Sequence, residues 1–319
     1  MTRVMRLDRL IALIVILLWC FVLASTAQEK SKRAQVEGTP VMWESVNISG
    51  RNLLLGPGGK EMKPDLRNIT FIKDEKGGYS KKYRIKDGSG CVWIAKISKE
   101  AQPETVAVRL IWALGYKTEI NYLAPTLTIP GKGTFANVRL EARPENVKRL
   151  DEWRWKENPF VNTNEYKGLI VMMAFLNNWD LKDSNNRILV VNNNGEVQLH
   201  YIISDLGATL GKTGGFFTRS RNKPEDYQEA KFIKTVKNNY IDFNYGGKMQ
   251  NLFENITVEQ ASWVANLLSQ LSDNQIRDAF SAANYSTDEV NMLAQSVKDR
   301  IAELNRVTSQ NRIGSKSNE

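Results

Sequence analysis

Two short polar stretches, Asp180-Leu181-Lys182-Asp183-Ser184-Asn185 and Asp205-Leu206-Gly207, constrain this chain more than any other feature. Between them lies a hairpin pattern, Ile188 to Val191 and Gln198 to Ile203, around the turn Asn192-Asn193-Asn194-Gly195. Asp/Asn-rich turns join helices to strands for local reasons alone, so the first stretch decides nothing by itself. The second changes that. An acid ending an apolar strand costs desolvation free energy unless it is paired or binds a cation, and Gly207 and Gly211 free the backbone around it. An acid at i, a lysine at i+2 and an amide at i+5 can place a base, a phosphate partner and a metal ligand on one loop. Asp205 then supplies a second metal ligand.

Ahead of this pair, residues 1–27 read as a targeting segment. Arg3, Arg6 and Arg9 precede the apolar run Leu10 to Ala24, and Ser25-Thr26-Ala27 offers small residues for cleavage. The run falls short of the roughly 20 apolar residues of a membrane span. A cleaved signal peptide is the reading, with a retained N-terminal anchor as its alternative. The expectation is an exported protein: periplasmic, secreted or in a secretory lumen, where the sequons at Asn47, Asn68, Asn255 and Asn284 would have meaning.

The 319-residue chain carries a net charge of +9, of which the leader's three arginines and one aspartate account for +2. A mildly basic surface suits phosphate-rich ligands or an anionic membrane face, and equally a protein that simply stays soluble. Without the leader only Cys91 is left, so an internal disulfide and a cysteine zinc cluster are both excluded. His200 is the only histidine, which excludes His-rich metal sites.

Residues 28–40 read as a flexible leader. A β-rich half is expected over 41–160 and a mainly helical half over 161–319. Strands are predicted at Val41–Ile48, Asn68–Ile72, Lys82–Ile85, Val92–Ile97, Ala124–Ile129 and Thr134–Leu140. Asp87-Gly88-Ser89-Gly90 is a hairpin turn, and Pro103-Glu104 opens a helix that stops at Gly115. An apolar helix is predicted from Glu165 to Asn177 and a basic loop from Gly207 to Asp226. Helices then start at Thr257, at Asp273 and at the capping box Ser286-Thr287-Asp288-Glu289.

Lys96 is a long cation within the otherwise apolar strand Val92-Trp93-Ile94-Ala95-Lys96-Ile97, a placement that usually means a solvated strand face. Glu104, in the first turn of the next helix, can reach Lys96 as an ion-pair partner or complement the helix dipole. In Gly77-Gly78-Tyr79-Ser80-Lys81-Lys82, Gly78 and Ser80 allow close approach of the backbone to phosphates, and Lys81 and Lys82 add charge. A plain turn has the same composition.

Lys96, Glu104, the Asp180–Asn185 loop and Asp205-Leu206-Gly207 occur in the order of the protein-kinase-like superfamily. Asp-Leu-Lys-x-x-Asn resembles its catalytic loop and Asp-Leu-Gly its metal motif. The resemblance implies an α+β, two-lobed fold with a β-rich N-lobe and a mainly helical C-lobe. It also implies ATP with Mg²⁺ or Mn²⁺ as cofactors. By it, Lys96 would hold the α/β-phosphates and Glu104 would fix Lys96. Asp180 would orient or deprotonate an acceptor hydroxyl, Lys182 would steady the γ-phosphate, and Asn185 and Asp205 would bind the metal, with adjacent Asn186 a second candidate.

Asn178-Trp179 stands where ordinary protein kinases have His-Arg, and no Gly-x-Gly-x-x-Gly or Ala-Pro-Glu is present. The chain is therefore more similar to the atypical branch: lipid kinases, toxin-type serine kinases and secretory-pathway kinases. The implied partners are a nucleotide and a protein, lipid or small-molecule acceptor; no nucleic acid is expected. Three other readings stay open: an exported pseudokinase acting as a scaffold, nucleotidyl transfer by the same residues, and an adhesion module with Trp153 and Trp155 as its binding face.

Overall fold

The computed structural model describes residues 36–77, 80–215 and 217–316, with side chains through 309. The signal segment expected at 1–27, most of the 28–40 leader and Gly78 lie outside the described residues. The elements below all belong to one unit, Thr39–Glu319.

Five antiparallel strands form the first sheet: β2 (Thr70–Asp74), β3 (Lys81–Lys86), β4 (Val92–Ile97), β5 (Asn121–Ile129) and β6 (Gly133–Ala142), in the order β2-β3-β4-β6-β5. The β3–β4 hairpin closes as the Asp87 turn predicts. Asp87 Oδ1 accepts from the amides of Ser89 and Cys91, and its Oδ2 accepts from Trp93 Nε1 at 2.9 Å. One carboxylate thus satisfies the turn and orients a core tryptophan. Helix α1 (Ala101–Ala113) joins β4 to β5 and ends at Gly115, whose φ of +102° a side chain would strain.

A second sheet, in the order β1-β9-β8-β7, is built from β7 (Lys148–Arg149), β8 (Asn186–Asn193) and β9 (Glu196–Ile203), with β1 (Thr39–Val41) parallel to β9. Of the strand predicted from Val41 to Ile48, only Val41 belongs to β1. After Val41 the chain bends into a 3₁₀ turn at Ile48–Gly50, because the Asn47 carboxamide accepts from the Gly50 amide and caps it.

The remaining elements are α2 (Asn164–Phe175), α3 (Pro224–Glu229), the hairpin β10 (Ile233–Lys237) and β11 (Tyr240–Phe243), α4 (Val258–Leu268), α5 (Asp273–Ser281) and α6 (Thr287–Lys316). Thr257 with Gln260, and Ser272 with Gln275, form reciprocal capping boxes at α4 and α5. The Ser286 hydroxyl donates to Glu289 ahead of α6. The sequence pattern did not announce the β10–β11 hairpin: its strands are only five and four residues long, with Ile241 and Phe243 their buried positions.

Two apolar clusters organise the packing. The smaller one lies on the five-stranded sheet and includes Tyr83, Ile85, Trp93 and Leu140. The larger one gathers α2, α4, α5 and α6 and also takes in α1, Met42, Ile48 and Leu53. Helix α1 is thus held by the helical core while its N-terminal turn faces the sheet. Trp153 and Trp155 belong to this larger core, 3% and 1% exposed, so they offer no aromatic binding face. Among the described residues, no helix is long and apolar enough to cross a membrane.

Candidate active site

Register and helix phase bring Lys96 and Glu104 together. Lys96 sits on β4 at 2% exposure, and its Nζ lies 2.9 Å from Glu100, 3.1 Å from Glu104 and 3.5 Å from Asp205. Glu104, fully buried in the first turn of α1, also faces Arg139 of β6 at 3.1 Å. Strand alternation aligns Arg139, Glu141 and Arg143 along one face of β6 and its extension, and Glu141 pairs with Arg139 at 2.7 Å and with Arg143. Burial works against the Lys96 ammonium, but Glu104 and Asp205 outweigh it and push its pKa up, so Lys96 stays a cation.

Asp205 follows β9 and turns its carboxylate toward Lys96 while accepting from the Gly207 amide at 3.2 Å. Burial disfavours its charge, yet Lys96, the Gly207 amide, Arg139 and Lys82 together outweigh that and hold its pKa below the ordinary range. Gly207 itself is required: a Cβ there would fall 2.5 Å from Glu100 Cβ.

The Asp180 loop begins where α2 ends. Asn177 takes a left-handed conformation (φ +53°), and its side chain donates to the Gly211 carbonyl at 2.7 Å. Trp179 donates its amide to the Ala208 carbonyl at 3.3 Å, tying the loop to the segment after Asp205. Asp180 is gripped from both sides, by Lys248 Nζ at 2.5 Å and Lys182 Nζ at 3.0 Å. Burial raises its pKa, and hydrogen bonds from these two lysines reverse the shift, so it is held below the usual carboxylate range.

Asn185 Nδ2 donates to the Asp180 carbonyl at 2.8 Å, which leaves Oδ1 as the amide's remaining donor to a cation. Asn185 and Asp205 line the same cavity of about 310 Å³ together with Lys96. Asn186 is fully buried and donates to the Trp153 carbonyl at 3.0 Å, away from that cavity. The geometry thus separates the two asparagines that the sequence left as alternatives.

Ser80 reaches Glu100 at 3.5 Å. Lys81 points to the other face of β3, with its ammonium 4.9 Å from the Phe135 ring centroid. Lys82, paired in register with Lys96, lines the cavity instead. Glu100, Arg139, Glu141, Arg143, Arg149, Arg187 and Lys248 were not singled out from the sequence. The alternation of Arg139, Glu141 and Arg143 beyond a predicted strand is a signal that could have found three of them. Lys248 carries none, since it meets Asp180 only through tertiary packing.

Among the described residues no group of three His, Cys, Asp or Glu could hold a metal alone. Asp205 and Asn185 nevertheless bring hard oxygen donors to one cavity, the type of partial set Mg²⁺ accepts when substrate phosphates and water complete its shell. The donor set fits the cation.

The segment after Asp205 is tied down. Arg219 and Arg221 place their guanidinium groups 4.3 and 4.6 Å from the Trp179 ring centroid, and Arg221 also pairs with Glu100. The Trp179 ring is thus a platform on which two arginines of the following loop rest.

No protein-family model matches the chain, and no curated protein matches it. Among solved structures it is similar to the Helicobacter pylori proinflammatory kinase CtkA. The TM-score is 0.50 at 12% identity, over 79% of this chain and 98% of that one. The fold is protein-kinase-like. Within it, the five-stranded sheet stands in the β-rich N-terminal region and α2 with α4 to α6 in the helical C-terminal region. The Rio2 kinase–ADP/Mg²⁺–phosphoaspartate complex from Chaetomium thermophilum is a weaker likeness. It shows a TM-score of 0.32 and 10% identity over 73% of this chain and 72% of that one, too slight to carry an argument.

Proposed function

We propose that this chain is an ATP- and Mg²⁺-dependent phosphotransferase of atypical kinase type, delivering the γ-phosphoryl group to a hydroxyl acceptor. One observation carries the reading: Lys96, Asn185 and Asp205 line one cavity, with Glu104 buried behind Lys96 and Asp180 on the loop that ends in Asn185. A kinase-like scaffold alone would not require this set. A dead site would have no chemical need to keep the Lys96 and Asp205 charges at this cavity.

Lys96, held by Glu104, binds oxygens of the phosphate chain. Asp205 and Asn185 Oδ1 would hold Mg²⁺, which would neutralise charge on the phosphates. Asp180 orients the acceptor hydroxyl and takes its proton; its depressed pKa keeps it ionised and ready to accept one. Lys182, beside it, balances charge on the group in transit. Positioning and fixed electrostatics supply most of the rate in such transfers. The acceptor is a protein, lipid-headgroup or small-molecule hydroxyl, and export by the N-terminal segment belongs to the same proposal.

Calorimetry of Mg²⁺-ATP with the full chain tests the reading, beside Lys96→Ala and Asp205→Ala. The expected result is Mg²⁺-dependent binding that weakens in both variants. A folded protein that binds no nucleoside triphosphate, with or without metal, would sink the proposal.

A further inference from the structure

The cavity at the centre of the site has an unusual wall. Small-ligand pockets are lined mainly by apolar and aromatic side chains with a few placed polar groups. Here eight lysine or arginine residues line the cavity against three acids, and Ile94 is its one apolar side chain among the described residues. The cations beyond Lys96 include Lys82, Arg84, Arg139, Arg143, Arg149 and Arg187. They come from both sides: Lys82 and Arg84 from β3, Arg139 from β6, Arg143 from the turn after it, Arg149 from β7 and Arg187 from β8.

Each guanidinium has a partner, yet none is used up by it. Arg149 forks onto Glu119 at 3.0 and 2.7 Å and donates to Ser204 at 3.0 Å. Arg187 lies 3.3 Å from Glu152 and donates to the Ser184 carbonyl at 3.1 Å. Arg84 pairs with Glu75 at 2.5 Å, and Arg143 with Glu141. A guanidinium has five N–H donors, so these pairs fix the planes and leave edges for a ligand. Arg139 Nε is a buried donor with no hydrogen-bond acceptor. Lys82 makes no ion pair among the described residues.

A purine placed in this cavity would exchange water around guanidinium groups for an uncharged ring and gain little apolar contact in return. An extended chain of phosphates would meet charge-assisted, bidentate donors along its length, the geometry in which arginine binds phosphate best. An apolar cavity of about 210 Å³, lined by Ile120, Pro144, Val147, Leu189 and Val191, does lie nearby, but Arg143 and Arg149 line both cavities. Arg149 and Glu119, which form the fork, both stand in the wall of that apolar cavity.

We propose that the cleft recognises its ligand by the polyphosphate chain and does not read a base, so that linear polyphosphate occupies it as well as a nucleoside triphosphate does. This rests on the phosphotransferase reading and narrows what the site selects.

Calorimetry of the full chain in excess Mg²⁺, with ATP, GTP, UTP, inorganic tripolyphosphate and adenosine, tests it. Dissociation constants for the three nucleotides and for tripolyphosphate should agree within about threefold, with no heat from adenosine. Arg143→Gln and Arg187→Gln should each weaken tripolyphosphate by about tenfold or more, with urea melts confirming the fold. ATP binding more than about tenfold tighter than both GTP and tripolyphosphate, or measurable adenosine binding, would overturn the proposal while the nucleotide site stands. Tripolyphosphate affinity unchanged in both arginine variants would overturn it too, by placing the anion elsewhere. No binding by any triphosphate overturns this inference and the phosphotransferase reading together.

Discussion

Lys248 Nζ lies 2.5 Å from Asp180 Oδ1, although the two residues belong to loops that meet only in the folded chain. The contact is built in by the backbone. The Lys248 amide donates to the Trp179 carbonyl at 2.9 Å, and a Cβ on Gly247 would fall 2.6 Å from Trp179 Cα. Gly247 is therefore what allows the Lys248 loop to close against the loop of Asp180.

Removing this lysine should make Asp180 a stronger base. An opposite charge favours the ionised carboxylate, so Lys248→Ala raises the Asp180 pKa and leaves Lys182 as its ion-pair partner. The acid limb of the kcat/KM profile for phosphoryl transfer should move to higher pH. A limb that stays put would show that Asp180 does not set it.

Lys96 and Glu104 should fail differently when substituted. Glu104→Gln leaves Lys96 and Arg139 facing a neutral amide in a buried setting. Breaking a buried charge network from one side costs about 3–5 kcal/mol. Urea denaturation should show a loss of that order. Lys96→Met leaves Glu104 with Arg139, so its larger effect should be on Mg²⁺-ATP, with affinity down about tenfold or more by calorimetry.

Arg300, on α6, is the fastening of the helix that delivers the Asp180 loop. Buried at 4% exposure, it donates to the carbonyls of Phe175 at 2.8 Å, Tyr227 at 3.2 Å and Ala230 at 3.0 Å, and to Asn177 Oδ1 at 3.1 Å. Arg300→Met should strand these acceptors and cost about 2–4 kcal/mol in chemical denaturation, each buried unsatisfied group being worth about 1–3 kcal/mol. A change below about 0.5 kcal/mol would mean water replaces the guanidinium, as at an ordinary surface site.

His200 offers a pH test with a single signal. Burial, helped by Lys117, lowers its pKa from 6.5 to about 4. The folded state therefore favours the neutral ring. Its contribution to stability is present above pH 6.5 and is lost as pH falls from there toward 4, where the unfolded chain binds a proton the folded one refuses. As the only histidine, its imidazole resonance should keep the neutral-form position at about pH 5.5 in NMR. His200→Asn should flatten the stability profile over that window.

How much of this was legible beforehand follows the range of each interaction. The Asp87 turn, the helix starts at Thr257, Asp273 and Ser286, and the β8–β9 hairpin are decided by residues a few positions apart, and they stand where the sequence places them. Lys96 and Glu104, eight residues apart, are close enough for strand and helix geometry to bring them together. Val41–Ile48 misled because its apolar residues serve two structures: a short strand beside β9 and a 3₁₀ turn packed on the helical core. The choice of Lys82 over Lys81 turned on the phase of one strand, which composition does not carry.

What the sequence by itself determined is the chemical set, Lys96, Glu104, Asp180, Asn185 and Asp205, and the order of strands and helices that carries it, because period, caps and turns act locally. Tertiary structure alone decided the surroundings of that set. It brought Lys248 to Asp180, hung α2 from Arg300, turned the Asn186 amide onto the Trp153 carbonyl, and lined the cavity with arginines from four separate segments. Charges so far apart in the chain interact only after two layers of packing have fixed their distances, and Coulomb energy depends on that distance and on burial, not on order in the sequence.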